Sequence, residues 1–118
     1  MKKSIQVIKP EDVETYQPDL HAGTVNRRLL RTDHLEIILG IISRGGGAQE
    51  HAHAENEQFL YMLEGKASVE IDGKKVTVEP GSLIYFPKGA PHGGGSFVES
   101  ESPAKFLVMY SPPIKRYP

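Results

Sequence analysis

Turn-forming residues cut this sequence into short pieces. Its glycines (12) and prolines (9) fall about every eight to twelve residues, and short β-branched or alternating runs lie between them. The runs are SIQVI, TVNRRLL, LEIILGIIS, EQFLYML, ASVEI, KVTVE, SLIYF and KFLVMYS. Short strands at such spacing predict an all-β sandwich or barrel. The clearest local unit is ASVEIDGKKVTVE, two alternating strands joined through Asp72-Gly73, a dipeptide suited to the positive φ angles of a tight hairpin. Pro80-Gly81 and Pro87-Lys88-Gly89 mark two further turns.

Helix is confined to a turn or two within PEDVETY, where Pro10 and the acids after it suit a helix start. The stretch HGGGSFVESESPA, from His92 to Ala104, is polar and glycine-rich with no clean period, and reads as a long surface loop around a frayed strand. No internal repeat is visible.

A chain of 118 residues is long enough for one core and too short for two, so a single domain over 1–118 is expected. Lys and Arg number 14 against 15 Asp and Glu, for a net charge of −1, which gives no electrostatic pull toward nucleic acid or an anionic membrane. A small-molecule partner is the expectation. The absence of cysteine removes disulfides, thiolate zinc sites and cysteine nucleophiles together. Any metal must be held by nitrogen and oxygen. MKKSIQVIKP starts with two lysines, but Gln6 and Lys9 interrupt it and no apolar run follows, unlike a signal peptide. The longest apolar stretch, LEIILGIIS, is far below a membrane span. A soluble cytoplasmic protein is expected.

One segment carries recognisable metal chemistry. HAHAENEQ places His51 and His53 one residue apart and then offers Glu57 beside Gln58. On a strand, residues i and i+2 project to the same face about 7 Å apart, so two imidazoles could converge on one ion. The alternative for these residues alone is a solvated strand end.

The surrounding sequence resembles the two motifs of the cupin superfamily. The first family motif runs Gly, five residues, His-x-His, three or four residues, Glu, six residues, Gly; here Gly45, His51, His53 and Gly65 fall on it. The second runs Gly, five residues, Pro-x-Gly, two residues, His, three residues, Asn; Gly81, Pro87, Gly89 and His92 fall on it, and Ser96 replaces the Asn, which is not a metal ligand in the family. The motifs span 45–65 and 81–96, close to half the chain, with 111–118 left as a C-terminal tail. The resemblance implies a small jelly-roll β-barrel of antiparallel sheets with one divalent transition metal inside.

The third ligand is where the sequence departs from the pattern. Glu57 follows His53 after three residues and Gln58 after four, and the family allows both. Counted back from Gly65, Gln58 has the expected six intervening residues and Glu57 has seven. A regular strand fixes its register, whereas the turn before it can absorb a residue, so the second count weighs more. The expected set is His51, His53, Gln58 and His92, with Glu57 as the alternative to Gln58. If Gln58 faces inward, so do Leu60 and Met62, while Glu57, Phe59, Tyr61 and Leu63 face outward. Three imidazoles and an amide would leave a divalent ion its full charge, which favours strong polarisation of a bound oxygen. Glu57 instead would give the two-His, one-carboxylate set common among oxygen-activating iron sites.

Other features weigh less. RGGGAQ and HGGGS lack the Lys-Ser or Lys-Thr of a phosphate loop, and no nucleophile elbow occurs. His21 and His34 lie outside both motifs. Phe59, Tyr61, Met62, Tyr85 and Phe86 could line a pocket or simply fill a core. Arg27, Arg28 and Arg44 could grip a substrate carboxylate, against the plainer reading of a solvated strand face. Glu57 and Tyr61 are the titratable groups nominated near the metal, and no catalytic residue is assigned.

The expected function is that of a mononuclear metal-binding cupin, an enzyme of dioxygenase, isomerase or lyase type on a small organic substrate. Iron, manganese, nickel, copper and zinc all fit the donor types. The alternative is a metabolite-binding or sensing domain without turnover. A homodimer is expected, with the early strands and the tail SPPIKRYP as pairing elements.

Overall fold

In a computed structural model the described residues are 5–18, 21–48, 52–71, 73–92 and 97–115. Among the described residues nine strands form, β1 (Thr15–Tyr16), β2 (His21–Arg31), β3 (Glu36–Ala48), β4 (Glu57–Glu64), β5 (Ala67–Ile71), β6 (Lys74–Val78), β7 (Leu83–Phe86), β8 (Phe97–Val98) and β9 (Ala104–Ser111). A six-stranded sheet runs β1-β2-β3-β9-β4-β7, and a three-stranded sheet runs β6-β5-β8, with antiparallel pairing throughout. The result is the expected jelly-roll-like, all-β architecture. No helix of the described residues is long and apolar enough to cross a membrane.

Alternation sets which side of each strand is inside. Along β9, Ala104, Phe106, Val108 and Tyr110 are buried while the residues between them are only partly so. Along β4, Gln58 and Met62 are buried and Tyr61 is exposed. These inward rows meet Ile38 of β3, Ala67 of β5, Val78 of β6 and Val98 of β8 in one cluster between the sheets. Burying such side chains contributes roughly 1.5–3 kcal/mol each before entropy is counted.

Two glycines permit approaches that a side chain would block. At Gly65, φ is +82° and an added Cβ would lie 2.7 Å from the Ala104 Cα, so the β4–β5 connection can hug the start of β9. At Gly40, an added Cβ would lie 2.6 Å from Phe106 Cζ, so the Phe106 ring lies over bare backbone.

The predicted strand runs reappear in β2 to β7 and β9, with one departure at the N-terminal end. SIQVI forms no strand over its described residues, because no neighbouring strand pairs with it; Ile5 and Val7 are 100% and 90% exposed. PEDVETY yields only a 3-10 turn, Pro10–Asp12, followed by β1. The hairpin at Gly73 forms with Ile71 opposite Lys74, and Asp72 lies outside the described residues. The glycine-rich stretch contributes the short β8; residues 93–96, with Ser96, lie outside the description.

Candidate metal centre

The inward row at one end of the six-stranded sheet places Gln58 between Phe86 of β7 and Tyr110 of β9. Gln58 is 6% exposed, and its Oε1 is buried with no hydrogen-bond partner among the described residues. Glu57, one residue earlier, points to the outer face, where its carboxylate accepts a hydrogen bond from the exposed Tyr85 hydroxyl. That bond raises the Tyr85 pKa above the ordinary phenol value, with smaller contributions from burial and the Glu57 charge. The two neighbours are thus separated by strand parity, with Gln58 alone of the pair lining the cavity.

His92 reaches the same cavity from the turn after β7. Its Nδ1 lies 2.9 Å from the Ala90 carbonyl, which can only accept, so Nδ1 carries the proton. In the neutral imidazole the lone pair therefore sits on Nε2, an atom that is itself buried. The Phe86 ring packs on this imidazole with centroids 4.5 Å apart.

His53 faces His92 at 5.6 Å between ring centroids, and its Nε2 is also buried. It stands in the non-strand segment before the turn at 54–55, so strand alternation does not orient it as the HAH spacing suggested. Its placement comes from hydrogen bonds. The Gly89 N–H donates to the His53 carbonyl at 3.0 Å, which joins the first motif's loop to the turn that delivers His92. His51 lies outside the described residues.

Two imidazoles and an amide oxygen are thus brought to one end of the barrel. Among the described residues no three His, Asp or Glu side chains are grouped to hold an ion, so the cluster depends on the amide and on whatever His51 adds. Neutral nitrogen and oxygen donors of this kind suit a divalent transition metal. The buried Gln58 Oε1 lacks the donor that a structural glutamine would have, and a cation would satisfy it.

Tyr110 is a residue of the site that neither motif marks. Its ring meets His53 edge-on at 5.4 Å, and burial raises its pKa far above the ordinary phenol range, so the hydroxyl stays protonated. KFLVMYS reads only as a strand run, and the meeting of Tyr110 with His53 depends on how β9 is placed beside β4.

Of the aromatic and methionine candidates, Met62 and Phe86 line the cavity, while Phe59, Tyr61 and Tyr85 lie on the outward parity of their strands. Neither nominated titratable group, Glu57 or Tyr61, lines it. The arginines are engaged elsewhere. Arg27 donates to the Pro10 and Val13 carbonyls, Arg28 pairs with Glu36, and Arg44 pairs with Glu101. His34 is exposed, and the His21 side chain lies outside the description.

A cupin-domain family model matches residues 39–110. The uncharacterized protein MJ1618 of Methanocaldococcus jannaschii is 32% identical over 73 residues, 62% of this chain and 57% of that protein. An L-ectoine synthase of Teredinibacter turnerae is 31% identical over 91 residues, 75% of this chain and 66% of the enzyme. The chain thus spans less than two thirds of the length of these curated relatives. Among solved structures, the polyketide cyclase RemF of Streptomyces resistomycificus superposes with a TM-score of 0.82 at 23% identity, over 97% of this chain and 84% of the other, a likeness of fold.

Proposed function

The chain belongs to the cupin family, and on that premise we propose that it is a mononuclear metal-dependent enzyme acting on a small organic molecule, with His51, His53, Gln58 and His92 as ligands. The observation that supports this reading is the buried, unsatisfied Oε1 of Gln58 in a cavity that His92 shares. An unsatisfied buried acceptor costs about 1–3 kcal/mol, and a bound cation removes that cost.

A divalent ion held by neutral donors supplies a strong Lewis acid. The chain's own residues do the rest. Ala90 holds the His92 tautomer, the Phe86 ring packs against the His92 imidazole, and the protonated Tyr110 stands beside His53 as a donor. The reaction class is oxidative cleavage, isomerisation or elimination, and iron, manganese, nickel, copper and zinc all fit the donor set. Two similar proteins, an L-ectoine synthase and a polyketide cyclase, are enzymes, which supports turnover over sensing.

The working unit is a homodimer. β1 is a two-residue strand at the edge of the larger sheet, and the extended segment before it exposes Ile5 and Val7, a template for pairing with a second chain.

The test is elemental analysis of the untagged protein beside His51→Ala, His53→Ala and His92→Ala. A single ion per chain, lost in each folded variant, is expected. Variants that fold and keep the parent's metal content would sink the assignment.

A further inference from the structure

The geometry points to the class of molecule this cavity takes, which we infer to be a small, uncharged, largely apolar compound about one ring in size. The inference deepens the proposed function by naming its substrate class, and it rests on that reading only for the cavity being the place of reaction.

Size is the first constraint. The cavity measures about 120 Å³. A dry apolar protein cavity of about 150 Å³ admits benzene, so the space here suits a single ring with small substituents rather than a sugar chain or a nucleotide.

Lining chemistry is the second. Phe86, Phe106 and Tyr110 contribute three aromatic rings, and aliphatic side chains such as Leu60, Val69 and Ile84 fill most of the remaining wall. Rings favour a planar partner through offset or edge-on packing. The absent side chain of Gly40 lets the Phe106 ring approach the β3 backbone closely and so shapes that wall.

Charge is the third. Among the described lining residues there is no Asp, Glu, Lys or Arg; the polar side chains are Asn26, Gln58, Ser68, His92 and Tyr110. The nearby basic groups Arg28 and Arg31 are committed to Glu36. Away from the proposed ion, a phosphate or a second carboxylate entering this space would lose its hydration and find no Lys or Arg on the described wall. A neutral ring carrying a hydroxyl or carbonyl would lose little, because the amide and imidazole groups can meet one polar substituent.

The test uses the full chain, metal-free and metal-loaded, with toluene and phenol against oxalate and ribose 5-phosphate, read by thermal shift and by methyl resonances of the cavity. Toluene and phenol should bind both forms, and in the metal-free form at least about tenfold more tightly than either anion. Val69→Phe and Ile84→Phe, at two partly buried positions on opposite sheets, should each weaken toluene binding by about tenfold, and either folded variant suffices. Binding of oxalate or ribose 5-phosphate by the metal-free protein in preference to toluene overturns the inference, as does a folded protein that takes neither toluene nor phenol. Toluene binding by a chain that never takes up metal would remove the metal reading and leave the ligand class standing.

Discussion

Asn56 Nδ2 donates to the Pro112 carbonyl at 2.6 Å and reaches the Pro113 carbonyl at 3.3 Å, so the turn behind His53 is tied to the C-terminal tail. The tail is itself anchored, since Ile114 is buried and its N–H donates to Glu36 Oε1 at 3.3 Å. Asn56→Ala should therefore cost about 1 kcal/mol in urea denaturation. If the brace positions His53, the variant should also bind metal about tenfold more weakly, in the range seen for residues that orient ligands. Lost stability with unchanged metal affinity would assign the brace to folding alone.

The separation of Glu57 from Gln58 predicts opposite outcomes for neighbouring substitutions. Gln58→Ala should lower metal occupancy, because it deletes the buried amide oxygen. Glu57→Ala should leave occupancy unchanged and bring the Tyr85 pKa back toward its ordinary value, since Glu57 is what raises it. Metal analysis and an ultraviolet titration of the tyrosines check both. Metal loss in Glu57→Ala alone would reverse the ligand choice.

What could be read in the sequence was the local periodicity. Alternation exposed β4 and β9, and the fixed count from Gln58 to Gly65 set the inward parity of Gln58, because a strand has no slack. What could not be read depends on which strands become neighbours. Tyr110 meets His53 only because β9 pairs with β4, and Glu36 finds Arg28 and Arg31 across the β2–β3 pair. The arginines nominated as substrate grips looked available precedent to folding; in the folded chain carboxylates and carbonyls occupy them. The HAH spacing assumed a strand where the chain runs as a loop, so the His53 position follows from its carbonyl's bond to Gly89 instead.

Gly65→Ala tests the closing glycine of the first motif. The methyl group would need both a positive φ and space that Ala104 Cα and the Pro103 carbonyl occupy at 2.7 and 2.8 Å. The combined strain and overlap should destabilise the fold by about 1–3 kcal/mol, seen as a lower denaturation midpoint with an unchanged slope. A variant as stable as the parent would show that the β4–β5 connection relaxes freely.

Glu36 offers a test through pH. Its side chain is 0% exposed, with Arg28 Nε at 3.0 Å and Arg31 Nη1 at 3.3 Å from Oε2. Burial raises its pKa above the ordinary 4.5, outweighing the Ile114 N–H and the two guanidinium groups, which are 40% and 37% exposed and so partly screened by water. A raised folded-state pKa means the folded chain holds a proton that the unfolded chain has released. The stability Glu36 contributes is therefore fully present below the unfolded carboxyl pKa and declines as pH rises through the folded value. Glu36→Gln keeps the shape of the protonated acid but cannot titrate. The parent should thus be close to the variant in stability near pH ~4 and fall below it as pH is raised through the folded pKa, measured by urea denaturation at each pH. A parent that instead gains stability over the variant as pH rises would show that the arginine pairs outweigh burial, with the Glu36 pKa held down.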